Sequence, residues 1–354
     1  RSTSVFPGSF TCRRNARSMS PNSAEGAWLL RPVTDEPLSM PWLWMGGWSL
    51  GGEGFGPHDE REARRAVAYA FHVGIRHFDT AGFYAQGRSE LLLRKVLGHR
   101  RQQVFVSSKG GLERSGRQVR HDASPAALRK SLESSLRRLG TDYLDLFQLH
   151  WPDPDVPLSA SIGALQNFLE QGLVRHWGVG NLDTAAVTGL LLPVGRVSHQ
   201  HQFNPVARSF ARLQAGYSGR RCINCVISPL EQGLLADGRA SDGLQYLGKS
   251  DARRRNACFH DPQALEWVRR FQLLSRASGL PRASIVLLWI LSQPMVDTVV
   301  VGARTIRQLV DLMVHRSVLR ALELGAPQGE RSGWEDALRL HLGAELWEHL
   351  NGSI

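Results

Sequence analysis

Between residues 104 and 149 the chain reads Val104-Phe-Val-Ser-Ser-Lys109, then Ser124-Pro-Ala-Ala-Leu-Arg-Lys-Ser-Leu-Glu-Ser-Ser-Leu-Arg-Arg-Leu139, then Tyr143-Leu-Asp-Leu-Phe-Gln-Leu149. The first and third segments are short and apolar, with the size and composition of buried strands. The middle segment opens with a helix start, Ser as N-cap and Pro at the first helical position. It carries Leu128, Leu132, Leu136 and Leu139 on one face at helical spacing. Two strands joined through a helix pair in parallel by a right-handed crossover.

The same unit recurs on either side. Upstream, Trp42–Ser49 is a strand followed by a Gly-rich turn. A helix then begins at Asp59, where Glu62 three residues on forms a capping-box arrangement and Ala63, Ala66, Val67, Ala70 and Phe71 form the stripe. Ile75–Asp79 is the second strand, and Ser89 opens a helix with Leu92, Leu93, Val96 and Leu97 on one face. Downstream, Leu158–Gln171 is a helix, Val174–Gly180 a strand, Thr184–Leu192 a helix and Val197–Phe203 a strand. The stretch 206–218 reads as helical and Cys222–Pro229 as a strand. Helices follow near 262–278 and 282–292, then the strand Asp297–Val301 and the helix Ile306–Val318. Eight strand–helix units predict an α/β chain folded as a (β/α)8 TIM barrel, with a C-terminal helical extension near 334–350. The rival, an open doubly wound sheet, would place G-x-G-x-x-G directly between the first strand and a helix. Gly46-Gly-Trp-Ser-Leu-Gly51-Gly does not do so, because no helix follows at once. Residues 1–40, rich in Ser, Arg and Pro, form an irregular or targeting-like N-terminal segment, and 41–354 form the barrel domain.

Composition narrows the function classes. The chain has 354 residues, 42% hydrophobic and 21% charged, ordinary for a globular protein. No apolar run approaches the roughly 18 residues of a membrane span. The net charge is +11, from 43 Lys+Arg against 32 Asp+Glu, yet only Lys95, Lys109, Lys130 and Lys249 are lysines. Residues 101–140 hold nine Lys+Arg against three acids, and 249–282 hold eight against three. No stretch interleaves these charges with aromatics as a nucleic-acid platform would. Cys222-Ile-Asn-Cys225 has half the spacing of a zinc site but lacks two further ligands nearby, and it sits in an apolar strand. Packed thiols and no metal are expected there, in a reducing, cytoplasmic compartment unless residues 1–40 direct the chain to an organelle.

Chemistry in a barrel gathers at the C-terminal ends of its strands. Here the second strand ends in Asp79, with Tyr84 in the loop beyond. The third ends in Lys109, the fourth in His150 and the fifth in Asn181. The sixth carries Gln200, the seventh Ser228, and the eighth runs into Gly302-Ala-Arg304. Neighbouring strands are about 5 Å apart, so Asp79, Lys109, His150 and Tyr84 can converge. An ammonium beside a phenol lowers the phenol's pKa, Asp79 supplies the counter-charge of a buried Lys109, and a neutral His150 can polarise a carbonyl oxygen. This set protonates a carbonyl or deprotonates an alcohol, and the electrons must come from a cofactor. His199 and His201 read as barrel packing, and His72, His77 and His99 as surface or helix-end residues.

These residues stand in motifs that resemble the aldo-keto reductase superfamily. Gly74-Ile-Arg-His-Phe-Asp79-Thr-Ala-Gly-Phe-Tyr84 with Gly87-x-Ser-Glu90 is similar to its Asp and Tyr signature, Ser107-Ser-Lys109-Gly to its Lys strand, and Leu139-Gly-Thr-Asp142-Tyr-x-Asp145-Leu-x-Gln-Leu-His150 to its His strand. Gly178-Val-Gly-Asn181, Gln200-x-x-Phe-Asn-Pro205, Ser228-Pro-Leu-x-Gln-Gly-Leu-Leu235 and Gly302-Ala-Arg-Thr305 follow in family order, so the likeness spans roughly 42–318. It implies a catalytic tetrad of Asp79, Tyr84, Lys109 and His150. It implies NADP(H) held by Gly47, Trp48, Asp79, Asn181, Gln200, Ser228, Leu230, Gln232, Gly302, Arg304 and Gln308, with Asn181 and Gln200 on the nicotinamide carboxamide and Arg304 on a 2′-phosphate. Trp48, Tyr84, His150 and Trp151 would border the substrate. Three positions depart from the usual pattern: Gly180 in place of Ser, Ile227 in place of an aromatic, and Leu312 in place of Asn.

The expected function is an NADP(H)-dependent oxidoreductase interconverting a carbonyl and an alcohol, with Tyr84 as general acid/base. The alternatives are a barrel lyase forming a Schiff base on Lys109 and a low-turnover cofactor-sensing protein. The expected partner is a small carbonyl or alcohol, with no nucleic acid or membrane, and the chain a monomer or small homo-oligomer. Arg253-Arg-Arg255, in the stretch 236–260, reads either as a clamp over the cofactor or as a solvated basic loop.

Overall fold

The computed structural model describes residues 42–116, 118–183, 197–208, 222–238, 244–249, 251–293 and 295–313. The N-terminal segment 1–40, the helix expected at 184–192 and the extension near 334–350 lie outside the described residues, as do the ends of the helices expected at 206–218 and 306–318; residues 206–208, described, form a turn and a bridge to Asn204 rather than a helix.

Eight strands close a parallel barrel in the order β1 (Leu43–Gly46), β10 (Thr298–Gly302), β9 (Cys222–Ile227), β8 (Val197–Gln202), β7 (Val174–Gly180), β6 (Leu144–Leu149), β3 (Phe105–Gly110) and β2 (His77–Asp79). Closure comes from β1 pairing with β10, Leu43 opposite Val299 and Gly46 opposite Gly302. The open-sheet rival is excluded. Along each strand alternate side chains point inward. Trp44, Phe105, Leu146, Ile223, Cys225 and Val300 form the apolar floor of the barrel, while the other faces pack against the helices in a separate, larger core.

The helices form where local chemistry requires. Asp59 caps α1 (Glu60–His72) by accepting from the Arg61 and Glu62 amides, and Ala63, Ala66, Val67 and Ala70 are buried. Ser124 caps α3 (Pro125–Leu139), and Gly140 ends it in the left-handed region at φ 68°. Leu128 and Leu132 of α3 are fully buried, each contributing about 2 kcal/mol of burial. α4 covers Leu158–Glu170, α5 Pro262–Ser278, α6 Arg282–Leu291 and α7 Ile306–Met313.

Four local expectations change. The first strand is shorter than Trp42–Ser49: it ends at Gly46, and Trp48–Gly51 forms a 3-10 turn. α2 spans Arg88–Leu97 with Gly87 at its N-cap, not Ser89. Ser89 is already the second residue of the helix, and its hydroxyl donates to the Gly47 carbonyl at 2.9 Å and accepts from Thr80 instead of capping the first turn. Between β3 and α3 a two-stranded hairpin stands on the barrel rim, β4 (Leu112–Ser115) against β5 (Gln118–His121). His77 is also not at the surface. It is fully buried and stacked 5.2 Å from Trp44 and 4.8 Å from Phe105. It shares the inward phase of Asp79 two residues on, and burial holds its pKa down at about 3.

Candidate active site

Register brings the tetrad together. Asp79 lies opposite Ser107 on β3. Lys109 stands two residues further along β3, opposite Gln148, with His150 just beyond the end of β6. From there Lys109 Nζ donates to Asp79 Oδ2 at 2.5 Å, to the Thr80 carbonyl at 3.0 Å and to Tyr84 Oη at 3.3 Å. Its three ammonium protons thus have three acceptors. The His150 ring stands edge-on to Tyr84, with centroids 5.6 Å apart. Asp79 is 2% exposed and Lys109 4%.

The electrostatics differ from expectation in one respect. Burial raises the Tyr84 pKa above the ordinary phenol value; Lys109 pulls it down, but Asp79 pushes it up again. The predicted net lowering is therefore corrected: the carboxylate cancels much of the ammonium's field, and desolvation decides the sign. Burial opposes the Lys109 ammonium, yet Asp79 and Tyr84 carry its pKa above the usual lysine value. Burial and the nearby Lys109 and His121 hold His150 well below an ordinary histidine, so its ring is neutral.

One cavity of about 680 Å³ opens over these residues. It is lined by Gly47, Trp48, Asp79, Tyr84, His150, Trp151, Asn181, Ser228, Leu230, Gln232, Gly302, Arg304 and Gln308, all expected from sequence. Two expected residues do not line it. Lys109 lies behind Tyr84 and Asp79. Gln200, 1% exposed, donates through Nε2 to Asp79 Oδ1 at 2.8 Å and supports the carboxylate from below. Its Oε1 is buried without a hydrogen-bond partner. Asn181 donates to the His150 carbonyl at 2.9 Å.

Backbone strain collects here. Among the described residues, six non-glycine residues have positive φ: Ala85, Gln86, Asn181, Ser228, Glu231 and Gln232. All lie in the loops that follow strands at the rim, and four of them line the cavity. Such strain persists where a site requires it. At Gly47 a Cβ would stand 2.5 Å from Ser89 Oγ and 2.9 Å from the Asp79 carbonyl, so only glycine fits.

Several contributors carry no sequence signal strong enough to single them out. Glu231, 2% exposed, accepts from Gln202 (2.6 Å), Asn204 (2.8 Å) and Asn256 (2.7 Å), tying β8 and the 251–256 loop to the turn at 228–233. Thr80 donates to Ser89, which fastens Gly47. Glu90, fully buried, holds Ser108 at 2.7 Å and Arg138 at 2.5 Å behind Lys109. The Gly87-x-Ser-Glu90 spacing was the available hint for this last pair.

Two of the three arginines of the basic loop are tied down, while Arg255 is exposed. Arg253 pairs with Asp251 at 2.7 Å, and Arg254 donates to the Leu244 and Leu247 carbonyls. Arg253 also stacks 5.7 Å from Phe55, and the Ala252 amide donates to the Gly54 carbonyl. The loop is thereby joined to the turn after β1. Arg304 Nη1 donates to the Phe55 and Pro57 carbonyls at 2.9 and 3.1 Å. Cys225 is a buried free thiol whose pKa burial and Asp79 push well up. His199 and His201 are buried, with rings 5.1 Å apart.

Residues 43–318 match the profile described as the Aldo/keto reductase family. The chain belongs to the aldo/keto reductase family. Its membership places it among NAD(P)-dependent oxidoreductases acting on carbonyl and alcohol groups. Among curated proteins, the aldo-keto reductase YhdN of Bacillus subtilis is 28% identical over 284 residues, spanning 78% of this chain and 85% of its own length. A putative voltage-gated potassium channel subunit beta of Schizosaccharomyces pombe is 27% identical over 294 residues, spanning 75% of this chain and 82% of its own. Among solved structures, that of the glycerol dehydrogenase AKR11B4 from Gluconobacter oxydans superposes with a TM-score of 0.68 at 26% identity, covering 88% of this chain and 94% of that one. Where this aldo/keto reductase departs from the usual pattern, Ile227 and Leu312 both line the cavity. At Gly180 a Cβ would stand 2.8 Å from the His150 carbonyl, so this backbone excludes the usual serine unless it shifts.

Proposed function

We propose that this protein is an NADP(H)-dependent carbonyl reductase that interconverts an aldehyde or ketone with its alcohol, using Tyr84 as general acid/base. One observation carries the reading: Lys109 Nζ is shared among Asp79, the Thr80 carbonyl and Tyr84 Oη. An ammonium only donates. Tyr84 Oη therefore accepts from Lys109, and its own proton is free for an oxygen in the cavity. The raised Tyr84 pKa keeps that proton in place through the neutral range, as an acid for carbonyl reduction requires. His150, neutral, is a second group able to orient the carbonyl oxygen beside Tyr84.

The cofactor fits the residues present. Ser49 Oγ, in the cavity lining, is a buried polar atom without a hydrogen-bond partner, and the strained turn at 228–233 borders the cavity. Asn181, in the cavity lining, would hold the carboxamide, with Gln200 acting from beneath through the Asp79 carboxylate; Ser228, Leu230 and Gln232 would hold the pyrophosphate, and Arg304 with Gln308 the adenosine end. When bound, the nicotinamide supplies or takes up the hydride. Arg304 spends Nη1 on backbone carbonyls, leaving Nε and Nη2 without hydrogen bonds among the described residues. That cation favours NADP(H) over NAD(H).

The same Lys109 contacts disfavour the lyase reading. A Schiff base needs a free amine, and Lys109 is a protonated donor held by three acceptors. The test is NADPH consumption against a panel of aldehydes and ketones, with Tyr84→Phe as control. Wild type should turn over, and the variant should lose about 10²- to 10⁴-fold. Tight NADPH binding with equal inactivity in both would favour the cofactor-sensing alternative. Borohydride trapping of substrate on Lys109 would favour the lyase.

A further inference from the structure

The walls beside Tyr84 name a substrate class for this carbonyl-reductase reading, on which the inference rests. Trp48 is 41% exposed and Trp151 43%, the two exposed tryptophans among the described residues, and both border the cavity. Trp48 stacks 6.3 Å from Tyr84 and meets Phe55 edge-on at 4.9 Å. Trp151 follows His150 directly. Phe83, 6.2 Å from His150, and Leu112 of the hairpin complete this apolar lining. Large aromatic faces left open at one cavity are surface that a ligand covers.

The hydrogen-bonding groups at this end are few. Tyr84 and His150 are taken up with one carbonyl oxygen, and the Asn181 amide is spent on the His150 backbone. Further hydroxyls on a substrate would lose water and gain no partner. Charge points the same way. Lys109 is held by Asp79, and Arg253 by Asp251. Arg114, on the hairpin, lies over the Phe83 ring at 5.3 Å, one ring away from His150. It is the cation placed to attract an anionic substrate, but Glu53 from the turn after β1 pairs with it at 2.6 Å.

We infer that the substrate is a neutral aryl aldehyde or aryl ketone, and that Glu53 sets this preference by cancelling Arg114 beside Phe83. The Glu53–Arg114 pair acts on specificity through charge at the mouth and has no part in proton transfer.

The experiment measures kcat/KM with NADPH for benzaldehyde, glyceraldehyde and para-carboxybenzaldehyde in wild type, Glu53→Gln and the double variant Glu53→Gln/Arg114→Gln. Wild type should prefer benzaldehyde by about tenfold or more over the other two. Glu53→Gln, with Arg114 unmasked, should raise the ratio of para-carboxybenzaldehyde to benzaldehyde by about fivefold, and adding Arg114→Gln should cancel the gain. Because the readout is a ratio within one variant, a general loss of activity does not imitate it. A wild-type preference for glyceraldehyde or the carboxylate, or a ratio unmoved by Glu53→Gln, overturns this inference alone. No turnover of any of the three overturns it together with the carbonyl-reductase reading.

Discussion

Replacing Asp79 by Asn separates the two jobs of the buried carboxylate, charge and hydrogen bonding. Both side chains of the Asp79–Lys109 pair are 3% exposed and meet at 2.5 Å. Removing one charge from a buried pair leaves the other uncompensated, a loss of about 3–5 kcal/mol. Lys109 has one escape, releasing its proton. Against an unfolded pKa of 10.5, a neutral lysine at pH 7 costs about 4.8 kcal/mol at 1.36 kcal/mol per pH unit, which caps the penalty of the uncompensated charge itself. At pH 9 the ceiling falls to about 2 kcal/mol. The wild-type Lys109 pKa lies above its unfolded value, so its contribution is fully present below pH 10.5 and is lost only as pH rises through the folded value. In the variant the folded pKa lies below the unfolded one. The unfolded state then binds more protons, and stability rises with pH up to 10.5. Relative to wild type, Asp79→Asn should therefore lose about 3–5 kcal/mol at pH 7 and recover up to about 2.7 kcal/mol by pH 9. Denaturant midpoints followed by far-UV circular dichroism at pH 7, 8 and 9 would measure both quantities. A loss below about 1 kcal/mol at pH 7, together with a pH slope equal to that of wild type, would refute the claim that Asp79 is what keeps Lys109 charged.

Three further outcomes follow from the geometry. Because burial raises the Tyr84 pKa, carbonyl reduction should stay flat in pH through neutrality and decline only above about pH 10, while alcohol oxidation should climb with pH over the same range; a reduction profile falling near pH 7 would contradict the protonated Tyr84. Gly47→Ala would drive a Cβ to 2.5 Å from Ser89 Oγ and 2.9 Å from the Asp79 carbonyl, and should lower stability by about 1–3 kcal/mol, readable as a shifted denaturant midpoint. Glu231→Gln sets an amide against three amide donors from Gln202, Asn204 and Asn256, so at least one buried donor goes unsatisfied; about 1–3 kcal/mol of stability should be lost, with weaker NADPH binding by fluorescence titration.

Local signals in the chain carried their weight where the structure is local. Ser124-Pro125 and the leucines after them placed α3 to the residue, and Val174–Gly180 and Pro262–Ser278 stand where periodicity put them. The hairpin at 112–121 carries no sequence signal, because its strands are four residues each and β5 is exposed throughout, so neither shows an apolar face. Ser89 misled for a related reason: its hydroxyl has a choice between its own helix and the Gly47 carbonyl, and only the fold brings that carbonyl within 2.9 Å. His77 reads as a surface residue although it is buried and shares the inward phase of Asp79, since a histidine in a strand does not announce which face is buried. Asp79, Tyr84 and His150 were found because each polar residue ends, or follows, a strand that is otherwise apolar.

Sequence alone determined the alternation of strands and helices, most helix boundaries and the identity of the polar residues at the strand ends. Those depend on caps, on apolar spacing and on neighbours a few positions away. Tertiary structure decided the rest: barrel closure through Leu43 and Val299, Gln200 lying beneath Asp79 rather than in the cavity, and Glu53 neutralising Arg114. It also decided the sign of the Tyr84 shift. That sign is a balance of desolvation against the fields of Lys109 and Asp79, and each of those varies with distance and burial that no local pattern encodes.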